Sequence, residues 1–312
     1  MSAIVVTGAA GFAGSHLLDL LTHHRSRIVA WHRPSGSPPA ERPGVTWQAV
    51  DITDAQSVAS AIGAAKPTAV YHCAAESHVG RSFGNSATTF RINVLGTHHL
   101  LEGLRRAELR AKVIVPSSAM VYASAGDPLT EDHPLGPHGP YALSKLAQEM
   151  SALRAREDGL HVTIARAFNH VGPRQDPFFA ASGFARRIAD IEAGKWEPEI
   201  AVGNLEARRD IHDVRDTVRA YEMILEHGTD GRAYNVCSGR AIQIGALLDK
   251  LLAHARVPIK IRVDPARYRP SDVPLLVGDP TRLQTELGWL PEIPLDQTLD
   301  DLLSYWRARS AS

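Results

Sequence analysis

A chain of 312 residues with 34 basic and 34 acidic side chains is electrically balanced and long enough to bury a full core. Lacking any basic or acidic run, it excludes nucleic acid and an anionic membrane surface as main partners, so an anionic ligand must be held by locally placed arginines. No apolar stretch approaches the roughly 20 residues of a membrane span, and the chain enters Ile4-Val5-Val6 without a basic leader, which points to the cytoplasm.

In chain order, the first apolar run predicts a strand at Ala3–Thr7, and a helix follows over 12–23. Strand-like runs recur at 27–31, Val45–Ala49, Ala69–His72, 112–116 and 161–165, with helix-like stretches near 54–64, 85–107 and 141–158. Each strand run is nearly all apolar, as a parallel sheet covered on both faces requires. The alternation predicts an α/β protein whose residues 1–167 form a doubly wound parallel (Rossmann) sheet. The segment "RPSGSPPAERPG" at 33–44 reads as a surface loop. Beyond residue 165 the alternation weakens, and a smaller α/β substrate-binding domain is expected over 168–312. Its segment 208–238, with "DVRDTVRAYEMILEHG" and "AYNVCSG", is expected to return to the first domain as a helix and a strand. Cys73 and Cys237 have no metal-ligand spacing and are expected to be buried free thiols. No histidine cluster comes with a third ligand, so no metal is expected; His72, at a strand end, reads as a core residue.

The first chemical signal is "TGAAGFAG", which sets Gly8, Gly11, Phe12 and Gly14 between a strand and a helix. Glycines there let backbone N–H groups approach a pyrophosphate at the positive helix N-terminus. A fold that prefers NAD usually places an acid at the end of the second strand; here His32 and Arg33 stand instead, 24 residues past Gly8 (32 − 8). An acid would repel a 2′-phosphate, whereas Arg33 can pair with one, so NADP(H) is preferred over NAD(H), which stays possible. Asp51 and Ile52, after the third strand, would flank the adenine. The second signal is "PYALSK", where Tyr141 and Lys145 share one helix face. A tyrosine beside a cation gives up its proton more readily and can exchange it with an alcohol or carbonyl oxygen. A serine of the upstream "SSAMVY" can bond the same oxygen, and Asn93 in "RINVLGT" reads as a buried amide organising its helix.

In these residues the chain resembles the extended short-chain dehydrogenase/reductase family, the group of nucleotide-sugar epimerases, dehydratases and reductases. The resemblance rests on "TGAAGFAG", "YHCAAESHVGRSF", "INVLGT", "SSAMVY" and "PYALSK", and in the second half on "RAFNHVGPRQ", "VGNLEARRDIHDVRD", "YNVCSG" and "RPSDVPLLVGDPTRLQTELGW". The second half is most similar to enzymes acting on GDP-linked 6-deoxymannose and GDP-mannose. The resemblance implies that Tyr141 is the acid/base and that Lys145 activates it and holds the nicotinamide ribose. It makes Ser118, four before the tyrosine of "SSAMVY", the catalytic hydroxyl, and leaves Ser117 structural. Ala74, Ala75 and Asn93 fall on the cofactor side. His78, Asn169 and Arg209 fall on the substrate side, the last two at phosphates; Arg174 either helps there or is a solvated loop arginine. Arg269 and Asp272 match the pair that contacts the nucleoside. A homodimer through the 85–107 and 141–158 helices is implied too.

The expected reaction is NADPH-dependent reduction of a GDP-linked 4-keto-6-deoxyhexose. A 4-epimerase remains the rival enzyme, and a cofactor-binding regulator without turnover is the reading from another class, opposed by the intact Ser118, Tyr141 and Lys145. The 4,6-dehydratases of the family carry a glutamate where this chain has Met120. A thioether cannot shuttle a proton; it either walls a methyl-bearing sugar or merely fills core.

Overall fold

The computed structural model describes residues 3–23, 26–36, 40–267 and 273–311. Strands β1 (Ala3–Thr7), β2 (Arg27–His32), β3 (Val45–Ala49), β4 (Ala69–His72), β5 (Lys112–Ser118) and β6 (His161–Ala167) are the apolar runs of the first half. Short strands follow: β7 (Asn169–Val171), β8 (Glu199–Val202), β9 (Arg208–Asp213), β10 (Ala233–Val236), β11 (Ala241–Gln243), β12 (Lys260–Val263) and β13 (Leu275–Leu276). The main sheet has seven strands in the order β10-β6-β5-β4-β1-β2-β3, every neighbouring pair parallel. This is the doubly wound α/β architecture.

Successive residues of a strand face opposite sides of the sheet, so the continuous apolar runs feed two cores. Val5, Val29, Val70, Val113 and Val162 pack on one side with Ile62 of α2 (Ala55–Ala65) and with buried leucines further along. Val6, Ile28, Ala30 and Ile114 pack on the other with Leu17 and Leu18 of α1 (Phe12–Leu21). Between β4 and β5 lie α3 (Val79–Gly84), α4 (Ser86–Phe90) and α5 (Gly96–Arg106). The helix expected over 85–107 is therefore interrupted, by a wider π-turn over Arg91–Leu95. Such turns aim one side chain out of register, and the one aimed inward here is the fully buried Asn93. Helix α6 (Gly139–Arg154) carries "PYALSK".

The later helices are α7 (Ala180–Glu192), α8 (Val214–His227), α9 (Ile244–Ala253), α10 (Thr281–Leu287) and α11 (Leu295–Ser310). Of the segment expected to return to the main sheet, α8 and β10 do so, with Val218, Tyr221 and Ile224 buried against it. The 208–213 part does not: β9 belongs to a small sheet, where it pairs with the shorter strands β7, β11 and β13. Helices α7, α9 and α11 close a third core around Ile188, Leu248 and Leu302. Among the described residues no helix is long and apolar enough to cross a membrane.

Candidate active site

In a parallel sheet the loops that follow the strands share one edge, where open α/β folds bind ligands. Gly8 follows β1, Arg33 follows β2, Asp51 follows β3, Ala74 and Ala75 follow β4, Ser118 ends β5 and Asn169 follows β6. The expected site residues are thus gathered by topology. At the glycine turn, Gly8 has φ +62°, and a Cβ on it would stand 2.7 Å from the Ala74 backbone. A Cβ on Gly14 would stand 2.4 Å from the Gly8 carbonyl oxygen. Gly11 is the N-cap of α1 and gives it no side-chain cap, so no capping side chain takes up its first-turn N–H groups. A pyrophosphate fits such a cradle. Beside it lies a cavity of about 310 Å³ lined by Ala9, Phe12, Arg42, Trp47, Arg174 and Tyr305, among others.

Ser118 meets Tyr141, and Lys145 stands four residues after Tyr141 on the same helix. Ser118 is buried at the end of β5; its Oγ accepts the Met120 N–H at 3.2 Å and hydrogen-bonds the Tyr141 phenol. Burial pushes the Tyr141 pKa up, the Ser118 bond pulls it back, and the Glu76 charge adds a further push upward. Lys145 is 3% exposed, and burial lowers its pKa to about 8 against the opposing pull of Glu149 and Cys73. Its Nζ donates to the Pro116 carbonyl at 2.6 Å and to Gln148 Oε1. Ser117 Oγ is buried without a hydrogen-bond partner, so its expected structural role is not exercised through its hydroxyl. Met120 is partly buried in a 3₁₀ turn, Ala119–Val121, and packs against the apolar cluster around Phe168 and Leu276.

The remaining expected residues divide. His32 bonds the Arg33 carbonyl at 3.0 Å, and Arg33 is exposed. The Asp51 carboxyl is held below its usual range by two Thr53 hydrogen bonds, with Arg91 and Arg33 adding to that. Ile52 packs its side chain on Gly96. Asn93, expected on the cofactor side, stands behind the loop after β4. It is fully buried, its Nδ2 donates to the Glu76 carbonyl and Ser144 Oγ, and its Oδ1 accepts the Glu76 N–H, so it shapes the loop after β4. His78 is buried between Phe178 and Phe179 with Asp176 3.5 Å away, and its Nδ1 has no partner. Asn169 is exposed. Arg209 donates to the Val273 carbonyl at 2.6 Å. Arg174, with φ +75°, pairs with Asp19 of α1 and lines the cavity at the glycine turn. It is therefore not a solvated loop arginine. Arg269 and Asp272 lie outside the described residues. Of the thiols, Cys237 is buried and Cys73 half-buried.

Reading the sequence missed Arg42, which reaches the Ser15 carbonyl and Asp19 from the loop before β3 and lines the same cavity. It also missed Asp210, whose buried carboxylate accepts N–H bonds from Ser238, Gly239 and Gly278 and so fixes the loop after β10. No local pattern marks either residue.

The family model described as GDP-mannose 4,6 dehydratase matches residues 5–302. The chain belongs to that family. It is 35% identical over 310 residues to the GDP-6-deoxy-D-mannose reductase of Pseudomonas aeruginosa, covering 98% of this chain and 97% of that protein. The structure of RMD from Pseudomonas aeruginosa complexed with NADPH matches with a TM-score of 0.87 at 32% identity, over 99% of this chain and 100% of that one. UDP-glucose 4-epimerase from Thermotoga maritima matches with a TM-score of 0.87 at 28% identity, over 98% and 99%. As a member of the GDP-mannose 4,6-dehydratase family, the protein is an enzyme of the oxidoreductase type with a nicotinamide cofactor.

Proposed function

We propose that the enzyme reduces the 4-keto group of GDP-4-keto-6-deoxy-D-mannose with NADPH, giving GDP-6-deoxy-D-mannose (GDP-D-rhamnose). The observation that carries this reading is an intact Ser118–Tyr141–Lys145 group with a thioether, Met120, beside it. The group can reduce a carbonyl, but at Met120 nothing can protonate a departing hydroxyl as dehydration requires. The glycine turn would hold the pyrophosphate of the cofactor and Lys145 its nicotinamide ribose, and the bound cofactor would supply the hydride. Tyr141 gives its phenolic proton to the sugar oxygen, and burial, by raising its pKa, keeps that proton in place beforehand. The Ser118 hydroxyl steadies the phenol, and the Lys145 ammonium stabilises the phenolate left behind. His78, Asn169, Arg174 and Arg209 are the described candidates for the nucleotide sugar.

NADPH rather than NADH is supported by His32 and Arg33 standing where NAD-binding folds place an acid. A homodimer is supported by large apolar side chains left exposed on or beside the helices named for it: Phe83, Leu95, Leu143 and Met150. The test incubates the pure protein with GDP-4-keto-6-deoxymannose and NADPH and follows the absorbance of the reduced cofactor. One NADPH consumed per product is expected. Turnover without net consumption would make the enzyme an epimerase. GDP-mannose with NADP, offered alone, should lose no water by mass spectrometry; a dehydrated product at enzyme-like rates would overturn the reading and turn attention to Glu76.

A further inference from the structure

Four polar side chains lie in the interior behind the active-site lysine, where apolar residues would pack at lower cost. Thr7 ends β1, His72 ends β4, Thr97 is on α5 and Gln148 is on α6, and none is more than 1% exposed. Buried polar groups must be partnered, and their hydrogen bonds run in one continuous series. Thr97 Oγ1 donates to the Asn93 carbonyl at 2.6 Å, so towards Gln148 Nε2 and His72 Nε2, each 2.8 Å away, it acts as acceptor. His72 therefore carries its proton on Nε2. Its Nδ1 accepts the Thr7 hydroxyl at 2.9 Å, and Thr7 Oγ1 accepts the Ala74 N–H at 3.0 Å. Each donor and acceptor role follows from the previous one.

The series fixes the Gln148 amide at both ends. Turned over, it would set its oxygen against the Thr97 lone pairs and its NH₂ group against the Lys145 ammonium. As it stands, Nε2 faces Thr97 and Oε1 accepts from Lys145 Nζ. We propose that Gln148 is a positioning residue for Lys145, with its carbonyl aimed by the Thr97–His72–Thr7 series, which joins the catalytic lysine to the Ala74 backbone after β4. Two of the three ammonium hydrogens are then held, by Gln148 and by the Pro116 carbonyl, which leaves the third for Tyr141 and the cofactor ribose. The proposal rests on the reductase reading for the use made of Lys145, while the hydrogen-bond series stands without it.

Among the described residues the charged and titratable groups around Lys145 include Tyr141 and Glu149 on its own helix, His72 at the end of β4, Cys73 just after it, and Arg166 of β6, which pairs with Glu149; α5 brings the uncharged Thr97 into the series. Burial lowers the Lys145 pKa to about 8, and a carbonyl facing the ammonium opposes that fall. The experiment compares wild type with Gln148→Leu, Gln148→Glu, Thr97→Val and Thr97→Ser. The chain has six lysines, so the ε-carbon signal of Lys145 can be assigned by Lys145→Arg and titrated by NMR in the cofactor-free protein. Gln148→Leu should move this titration about one pH unit towards acid, and Gln148→Glu about one unit towards alkali. The alkaline limb of kcat/KM for NADPH oxidation should move with it, while KM for the sugar nucleotide changes little. Thr97→Val should shift the titration in the same direction as Gln148→Leu, and Thr97→Ser should restore it. A Lys145 titration that is the same in all variants would overturn the proposal, even if activity or stability fell. If Gln148→Leu does not fold, Gln148→Glu and the Thr97 pair decide the question. A wild type that oxidises no NADPH would refute the reductase reading and leave the titration result standing.

Discussion

Tyr141 and Ser118 can be separated by what each contributes to one proton. The phenol carries it, and the serine hydroxyl only fixes the direction of the phenol. Tyr141→Phe should therefore lower turnover by roughly 10²- to 10⁴-fold with cofactor affinity nearly unchanged, as measured by NADPH oxidation and fluorescence titration. Ser118→Ala should slow the reaction less. Ser117→Ala should matter least, because that hydroxyl has no partner to lose. Near-normal turnover of Tyr141→Phe would remove the assignment. For cofactor choice, Arg33→Ala should narrow the preference for NADPH over NADH; a wild type that binds NADH more tightly would show that Arg33 does not read the phosphate. These residues were legible because their chemistry is written in short spacings, Tyr141 to Lys145 and Gly8 to Gly14. Gln148, Thr97 and His72 were not, since their partners lie 51 and 25 positions away and no local pattern announces them. His72 reads as core, and it is core, but as a polar link.

Among the elements, the strands of the main sheet were readable because each is a dense apolar run with both faces covered. Strands β7, β11 and β13 were not, being two or three residues long, and β9 was not, because RRDIHD is no apolar run. The π-turn was hidden too, since apolar periodicity does not change when one turn widens. What joins β6 to α6 also lay beyond the sequence. Arg166 forms an ion pair with Glu149 at 2.9 Å, with side-chain exposures of 8% and 2%. It also donates to the Tyr122 hydroxyl and the Glu131 carbonyl, each at 3.1 Å. The Tyr122 hydroxyl donates onward to Asn235 of β10 at 2.6 Å. One guanidinium thus ties together the strand, the active-site helix and the turn that follows Ser118. Replacing one partner leaves the other charge buried and alone, which costs about 3–5 kcal/mol, whereas replacing both by apolar groups is often neutral. Arg166→Met should lower the urea midpoint by a corresponding amount, and Arg166→Met with Glu149→Leu should recover most of it. A single variant as stable as wild type would show that the pair does not hold these elements together.

For the molecule as a whole, the main sheet and the smaller sheet meet along a seam lined with histidines. His16 of α1 donates from Nε2 to the Pro173 carbonyl at 2.8 Å, and His170 stacks on Phe12. His212 lies 6.4 Å from His170 and 6.2 Å from Trp289, centroid to centroid, and bonds Thr217 at 3.0 Å. Burial lowers the pKa of His16 to about 4 and of His212 to about 3, and it lowers that of His170 as well. His72, inside the main sheet, is lowered to about 3 by burial. In the unfolded chain all four titrate near their ordinary value of about 6.5. Between that pH and about 4 the unfolded chain therefore binds more protons than the folded one, and stability falls as pH falls. Each such histidine contributes up to about 1.4 kcal/mol per pH unit in that window. Asp210 and Glu131, whose pKa values burial raises, oppose the trend only where carboxylates begin to protonate. Acid unfolding should accordingly begin near pH 6, with about three protons taken up on unfolding at pH 5, as read from urea midpoints across pH. The charge would be forced into the seam that joins β7 and β9 to α1, so active-site alignment should fail together with global stability. A stability that stayed flat from pH 7 to pH 5 would mean that these histidines reach water, or an acid, in the folded protein.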